Sequence, residues 1–284
     1  MNPYKIDGPA IVSFSGGRTS GYMLFHILKQ HQGQLSKDVH VVFCNTGKEM
    51  PETLDFVRDC ENNWGIEINW LEYKRKGDEH DYIHTNYATA ARNGEPFEQM
   101  LETTKRKRDK KQLKGTPLPN PRARICTKWL KINLMRKFML NKGYKQWESV
   151  IGLRYDEPRR VAKQKADQTK NRTKNIPLYE DGVTKEDVGV FWRNNNFDLK
   201  LPNVNGETPH GNCDLCFLKS LKKTQYLIKE KPSRADWWIA IENKYDNIFR
   251  IDRPPYIELQ KISQLQADLF DDFEDEELDC FCHD

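Results

Sequence analysis

The first place in this chain where chemistry is expected is a glycine pair that follows a short apolar run. Ala10 to Phe14 is apolar, and the next residues are Ser15, Gly16, Gly17, Arg18, Thr19 and Ser20. Two adjacent glycines let the backbone turn sharply and approach an anion closely. The freed N–H groups, the three hydroxyls and a following helix N-terminus would then point towards phosphate. The loop is not of the GxxxxGK[ST] type, because no lysine follows the second glycine. The competing interpretation is an ordinary glycine turn at the end of a strand.

Seven cysteines form a second set of reactive groups. Cys213 and Cys216 are spaced as CxxC, at which two thiolates bind one metal ion or cluster, or act as a redox pair. Cys44 and Cys60 are expected to be small buried residues, the first on a strand and the second on a helix. The chain has neither a signal-peptide core nor a run of about 18 apolar residues, so we expect a cytoplasmic protein with no membrane partner. Disulfides are not expected in that compartment.

Charge is segregated along the chain, although the net charge is only +4. Residues 104–114 hold seven Lys or Arg, residues 154–174 hold eight, and residues 267–284 hold nine Asp or Glu. Each basic run is either solvated surface or an anion-binding surface, and a nucleic-acid backbone is one such anion. With 37% hydrophobic and 31% charged residues, the composition indicates a globular chain and excludes an intrinsically disordered one.

The elements that must position these groups alternate between strands and helices. Apolar runs at residues 10–14 and 40–44 predict buried strands. Residues 66–71, which alternate in part, and residues 148–153 predict two further strands. Alternation with helices indicates right-handed crossovers and a parallel sheet with helices on both faces, which is an α/β fold. Ligands of such sheets bind beyond the carboxyl ends of the strands, so the loops after the first two strands are expected to share one crevice.

The helix boundaries follow from capping signals. Thr19 or Ser20 is predicted to cap the first helix, and Pro51 to stand in the first turn of the second. Residues 127–141 predict a further helix, and Thr184 is predicted to cap another that runs to about residue 193. By contrast, residues 74–121 are polar with weak periodicity, which predicts a loop-rich insertion.

Four short motifs in this order resemble one known group. Ser-Gly-Gly-x-x-Ser after a strand is similar to the phosphate loop (PP-loop) of the ATP pyrophosphatase superfamily. The run Phe43-Cys-Asn-Thr-Gly-Lys-Glu-Met-Pro-Glu-Thr53 resembles an element of its sulfonucleotide reductase branch, as does Gly152-Leu-Arg-Tyr-Asp-Glu-Pro-Arg-Arg160. Pro177-Leu, followed by Asp187-Val, completes the set. That branch contains the phosphoadenosine phosphosulfate (PAPS) and adenosine phosphosulfate (APS) reductases.

The resemblance implies an adenine nucleotide alpha hydrolase-like fold and a site for ATP, APS or PAPS. From Leu201 the chain becomes rich in Pro and Asn and then in Cys. This change in composition predicts a nucleotide-binding domain over residues 1–205, with a polar insertion at about 74–121, and a Cys-rich region with an acidic tail over 206–284. The implied nucleotide-binding residues are the six of the glycine loop together with Asn45, Thr46, Gly47 and Gly152. Two departures stand out: Thr19 occupies a place where many ATP-hydrolysing relatives have Asp, and Pro158 occupies one where the branch has Ser.

The resemblance also implies catalytic residues. Arg154, Arg159 and Arg160 would neutralise sulfate and phosphate through their fork-shaped donors. Reductases of this branch end in an acid-Cys-x-x-His tail, whose cysteine attacks sulfur, and Cys280 with His283 has that spacing. A thioredoxin-like protein is the implied reductant.

A metal centre is implied by the cysteines of the APS reductases, which hold a four-iron cluster through a Cys-Cys pair and a later CxxC. Here Cys126, Cys213 and Cys216 are the implied ligands, with Cys282 as the fourth, because Thr127 replaces the second cysteine of the pair. An iron–sulfur cluster is favoured over zinc.

Two other functions stay open at this point. One is an enzyme that adenylates a nucleic acid and transfers sulfur to it, with the basic runs along the phosphate backbone. The other is a regulatory nucleotide-binding protein with a structural zinc ion and no catalytic activity.

Overall fold

The computed structural model describes residues 2–112, 117–167, 169, 171–204 and 208–265. Its centre is a six-stranded sheet in the order β4-β3-β2-β1-β5-β6. The strands are β1 (Ala10–Ser13), β2 (Val39–Asn45), β3 (Ile68–Lys76), β4 (Glu79–Thr85), β5 (Trp147–Val150) and β6 (Arg172–Asn175). All neighbours run parallel except β3 and β4, which form an antiparallel hairpin at one edge.

Helices connect and cover these strands. They are α1 (Arg18–Gln30), α2 (Pro51–Trp64), α3 (Glu95–Lys110), α4 (Ile125–Thr127), α5 (Asn133–Asn141), α6 (Pro158–Ala166), α7 (Pro177–Glu180), α8 (Lys185–Arg193), α9 (Leu221–Glu230), α10 (Ala235–Tyr245) and α11 (Tyr256–Leu265). A π-helical turn, Lys128–Ile132, joins α4 to α5, and a 3₁₀ turn, Pro232–Arg234, precedes α10. None of the helices in the described ranges is long and apolar enough to cross a membrane.

Two apolar cores lie on the two faces of the sheet. On one face, Val12 and Val41 pack with Met23 of α1, Phe56 of α2 and Trp192 of α8. The opposite face packs against α3, α5, α9, α10 and α11; its members include Ile11, Val42, Leu71, Phe97, Phe138, Leu227 and Trp238. Both faces are therefore covered by helices, which confirms the predicted α/β class.

Most predicted elements are confirmed. Thr184 caps α8 through a reciprocal pair of hydrogen bonds with Asp187, and Pro51 is the first residue of α2. The predicted helix at 127–141 is present as α4, the π turn and α5. Cys44 on β2 and Cys60 on α2 are both buried, as expected.

Two predictions are wrong. The cap of α1 is Gly17, without a side-chain hydrogen bond, because the Ser20 hydroxyl lies inside the first turn and donates to the Gly17 carbonyl at 2.9 Å. The segment 74–121 is not mainly loop, since it contains β4 and the 16-residue helix α3. Charged residues fill the outer face of α3 and mask the apolar stripe formed by Phe97, Met100 and Leu101.

Candidate functional site

The glycine loop between β1 and α1 has a backbone that requires glycine at one position. Gly16 has φ +76°, and a Cβ there would lie 2.7 Å from Thr53 Cγ2. Gly17 is extended (φ −103°, ψ 162°) and immediately precedes α1, whose first turn carries no side-chain cap. The N-terminal amides of α1, with the positive end of the helix dipole, therefore face the space in front of the loop.

Two serines of the loop have different positions. Ser20 is fully buried, and its hydroxyl accepts a hydrogen bond from the Ser15 amide at 3.2 Å and lies 2.9 Å from the Ser15 hydroxyl. Ser15, by contrast, lines the cleft in front of the loop. Ser20 thus fixes the shape of the loop, and Ser15 is the serine placed to meet a ligand.

Arg154, which follows β5, reaches across to the glycine loop. Its Nη1 donates to the Thr19 hydroxyl at 3.0 Å, and its Nε donates to Asp156 at 2.9 Å. Glu157 accepts from the Arg154 amide at 2.9 Å and is also paired with Arg160, which is buried. The structure therefore brings both predicted catalytic arginines to the loop, joined through one carboxylate.

These groups line one cleft at the carboxyl ends of β1, β2 and β5, with a volume of about 590 Å³. Eight Lys or Arg and three Asp or Glu line it. The cations are Arg18, Lys131, Arg154, Arg159, Arg160, Lys185, Lys219 and Lys223, and the carboxylates are Glu49, Asp156 and Glu157. Excess positive charge in a concave site attracts anions. The loops after β1 and β2 share this crevice, as expected, through Ser15 and Glu49.

The predicted nucleotide-binding residues after β2 lie behind the wall of the cleft. Asn45 is fully buried and donates to Glu72 at 2.6 Å, while its side-chain oxygen accepts from the Gly47 amide at 3.0 Å. The Thr46 hydroxyl donates to Glu49 at 2.8 Å. These hydrogen bonds fix the turn that presents Glu49. Burial raises the pKa of Glu72.

Arg18 and Gly152 also hold the loop in place. The Arg18 guanidinium donates to Asp198 through Nε and Nη2, each at 2.8 Å, and to the Leu201 carbonyl at 3.1 Å. A Cβ on Gly152 would lie 3.5 Å from Ser20 Cα, so the chain after β5 runs directly against α1. The Arg18 side chain is engaged with this segment, which leaves its backbone amide as the group at the helix N-terminus.

The CxxC segment reaches the same cleft. Cys216 is buried and lines it, and Cys213 Sγ lies 3.4 Å from the Thr46 hydroxyl. The turn is fastened to the chain after β2, because the Asp214 amide donates to the Lys48 carbonyl at 2.8 Å and Lys48 Nζ pairs with the Asp214 carboxylate at 3.0 Å. The CxxC segment therefore reaches the cleft that the glycine loop lines.

The predicted metal centre is not supported by the described residues. Among them, no three histidine, cysteine, aspartate or glutamate side chains are grouped so that they could hold one metal ion. Cys126, on α4, packs against the same apolar core as Cys213 and Cys216. The predicted fourth ligand Cys282 and the predicted catalytic pair Cys280 and His283 lie outside the described ranges. Burial raises the pKa of the Cys44 thiol to about 12.

Sequence reasoning missed four lysines of the cleft. Lys131 lies in the π-helical turn, a distortion that is frequent at functional sites. Lys219 is buried and donates to the Pro209 carbonyl at 2.8 Å, and Lys223, also buried, lies in the first turn of α9. Lys185 opens α8. In the sequence, Lys131 could have been noticed as a basic residue that closely follows Cys126. Lys219 and Lys223, by contrast, belong to no motif.

A family model described as the phosphoadenosine phosphosulfate reductase domain matches residues 9–200. The chain belongs to this family. The matched range of this PAPS reductase domain includes the glycine loop, the turn after β2, and the arginines after β5.

The chain is also similar to two proteins whose names state no activity. The chain is 31% identical over 229 residues to the nin region protein ORF290 of Escherichia phage lambda, covering 78% of this chain and 70% of that one. It is 47% identical over 64 residues to protein MJ0066 of Methanocaldococcus jannaschii, covering 22% of this chain and 12% of that protein. A crystal structure of PAPS reductase from Candida auris, in a phosphate complex, aligns with a TM-score of 0.42 and 14% identity, covering 70% of this chain and 82% of that one.

Proposed function

We propose that this protein is a sulfonucleotide reductase, which binds APS or PAPS in the cleft and releases sulfite. One observation carries the proposal: in a chain of the PAPS reductase domain family, the glycine loop and eight cationic side chains converge on one cleft. Its volume of about 590 Å³ is within the usual range of roughly 300–1,000 Å³ for small-molecule sites.

The geometry of the cleft supports the following binding roles. Phosphate oxygens of the nucleotide accept hydrogen bonds from the first amides of α1 and from the Ser15 hydroxyl. Arg154, already held against Thr19 and Asp156, offers its planar fork to the sulfate or phosphate. Glu157 keeps Arg154 and Arg160 together and reduces their mutual repulsion.

In the proposed reaction, the Cys280 thiolate attacks the sulfur of the adenylylated sulfate. A bond forms between Cys280 Sγ and sulfur, the sulfur–oxygen bond to the phosphate breaks, and the nucleotide leaves with that oxygen and electron pair. A thiolate of a thioredoxin-like dithiol then attacks Cys280 Sγ and expels sulfite. The second thiol of the reductant resolves the mixed disulfide, so the dithiol supplies both electrons.

The thiolate form of Cys280 requires a positive environment. Nine acidic residues in 267–284 would raise the pKa of that thiol in free solution, whereas the cations of the cleft would lower it. His283 would stabilise the thiolate when protonated. No step of the proposed reaction passes through a metal ion.

The test measures sulfite and nucleotide release from APS and from PAPS in separate reactions with a reduced dithiol. Cys280→Ser is expected to keep nucleotide affinity and abolish sulfite release, because serine is a poor nucleophile towards sulfur. Cys282→Ser is the matched control and is expected to keep activity. A wild-type protein that releases sulfite from neither substrate contradicts the proposal.

A second candidate function is favoured by the position of Cys216. This thiol already lines the nucleotide cleft, so sulfur chemistry there does not require the tail. An ATP-dependent sulfur transferase would release pyrophosphate from ATP and no sulfite from either sulfonucleotide. The same assays, with ATP added as a third substrate, separate the two activities.

A further inference from the structure

A second cavity, here called the basic groove, has a volume of about 290 Å³. Six Lys or Arg and one Asp line it: Arg124, Lys128, Arg136, Lys163, Arg172, Lys174 and Asp167. Arg172 and Lys174 approach Asp167 at 3.3 Å and 2.7 Å, so the single carboxylate is already neutralised. The groove therefore has a strong excess of positive charge.

The floor of the basic groove, meaning its uncharged lining, is mainly apolar. Its apolar members are Ile11 and Trp147 of the sheet, Ile151 after β5, and Ile132 and Met135 from the helical segment after α4. Ser13, Thr127, Ser149 and Gln164 also line it. The cationic rim suits a phosphate, and the apolar floor suits a flat apolar group, so the groove fits a ligand that carries both. A nucleotide unit has both, since its base presents a face without charge.

The basic groove adjoins the nucleotide cleft. A small cavity of about 20 Å³ lies between them; it shares Thr127 and Met135 with the groove, and Ser15 and Lys131 with the cleft. Helix α6 also belongs to both, with Arg159 and Arg160 in the cleft and Lys163 and Gln164 in the groove. The basic run 154–174 thus lines two adjoining sites.

The other basic run has a different arrangement. On α3, Lys107 pairs with Glu79 at 2.9 Å and Lys110 pairs with Asp78, both on or beside the β3–β4 hairpin. This run fastens a helix to the edge of the sheet. It supplies a comparison surface of similar charge that lacks the groove.

We propose that the basic groove binds single-stranded nucleic acid, with phosphates along its rim and a base on its floor. A single strand is favoured over a duplex because a base reaches an apolar floor only when it is unpaired. Since the groove adjoins the cleft, the bound strand would lie beside a nucleotide held at the glycine loop. This binding does not depend on the reductase reaction proposed above.

The experiment measures fluorescence anisotropy of labelled single strands of about 16 nucleotides, DNA and RNA of one sequence, over a salt series. The groove variant combines Lys128→Ala, Arg136→Ala and Lys163→Ala, three exposed positions. We expect its affinity for the strands to fall at least about tenfold, and the slope of log affinity against log salt to decrease by about two. The matched control, Lys105→Ala with Lys107→Ala and Lys110→Ala, is expected to stay within about twofold of wild type.

Three results would overturn the proposal. They are no binding of either strand by the wild type, an equal loss in the groove and control variants, and binding that appears only when residues 266–284 are removed. The last would make the acidic tail the occupant of the groove. Calorimetry with ATP and PAPS on the groove variant keeps the two proposals separate, because its nucleotide affinity is expected to be unchanged while Gly17→Val loses it.

Discussion

Gly17 lines the cleft and immediately precedes α1, so a side chain there would stand in the proposed ligand site. Its extended backbone is accessible to any residue, so Gly17→Val is expected to fold normally. The new side chain would stand in the cleft at the N-terminus of α1 and exclude a phosphate. We expect ATP and PAPS affinity measured by calorimetry to fall at least about 100-fold, or roughly 3 kcal/mol.

Gly8→Val is the matched control for this change. Gly8 has open space around its Cα, so an added side chain contacts nothing there. Nucleotide affinity in this control should equal that of the wild type. If Gly17→Val, well folded by circular dichroism, binds both nucleotides with undiminished affinity, the glycine loop is not the phosphate site.

His80 gives the protein a specific sensitivity to acid. Burial lowers its pKa to about 4, and it stacks on Trp129 at 3.6 Å. Between its ordinary pKa near 6.5 and this lower value, the unfolded chain binds a proton that the folded chain does not. The contribution of His80 to the free energy of unfolding therefore decreases as pH falls through this window.

We expect His80→Gln to show a shallower loss of stability than the wild type between about pH 7 and about pH 5, because glutamine does not titrate. Urea unfolding at the two pH values measures the difference. If the free energy of unfolding depends on pH in the same way in the two proteins, His80 is protonated equally in the folded and unfolded states.

For single residues, the sequence predicted which types of side chain lie near the site better than it predicted which way each side chain points. Serine and asparagine near a glycine loop were expected to face the ligand, yet Ser20 and Asn45 are fully buried and bind backbone or protein carboxylates. Lys219 and Lys223 reach the cleft although they lie about 200 positions after the glycine loop in the chain, with no motif to identify them. Such side-chain directions depend on tertiary packing, which a linear pattern does not contain.

Helix α8 is the element that closes the α1 side of the cleft. Thr184 Oγ accepts from the Asp187 amide, and the Asp187 carboxylate accepts from the Thr184 amide at 2.8 Å. The Thr184 hydroxyl, which also donates to the Asp187 carboxylate at 2.6 Å, and the Thr184 amide lower the pKa of Asp187. Trp192, near the end of α8, donates to the Arg18 carbonyl at 2.8 Å and so joins this helix to the glycine loop.

Loss of this cap should destabilise the protein measurably. We expect Thr184→Ala to lower the free energy of unfolding by about 1 kcal/mol, or the melting temperature by roughly 2–4 °C. Thr173→Ala, at an exposed threonine of β6, is the control and should change stability by less than about 0.5 kcal/mol. An equal loss of stability in the two variants would show that the lost cap does not account for the effect of Thr184→Ala.

Elements with apolar periodicity or capping signals were predictable, and those masked by charge were not. Buried parallel strands appear as continuous apolar runs, which is why β1 and β2 were recognisable. All residues of hairpin strand β4 are half-buried or exposed, and α3 carries nine charged side chains outside a narrow apolar stripe. In both, packing against β3 compensates for a weak local pattern.

At the scale of the whole molecule, residues 208–265 belong to the same core as the sheet. Leu215, Phe217, Leu227, Trp238 and Phe249 are buried in the apolar cluster that contains Ile11, Val42 and Leu71. Burial of five such side chains contributes roughly 7–15 kcal/mol, which is comparable to the total stability of a domain, about 5–15 kcal/mol. The proposed domain boundary at residue 205 therefore cuts through a shared core.

We expect a chain that ends at residue 204 to lose cooperative unfolding, because one face of its sheet would be exposed to water. Increased ANS fluorescence and the absence of a calorimetric transition measure this loss. Co-expression with a fragment of residues 205–284 should restore a complex that co-purifies, since the missing apolar surface is supplied in trans. A truncated chain that melts cooperatively and still binds ATP would instead establish residues 1–204 as an independent domain. The nucleotide site would then be complete without the CxxC segment.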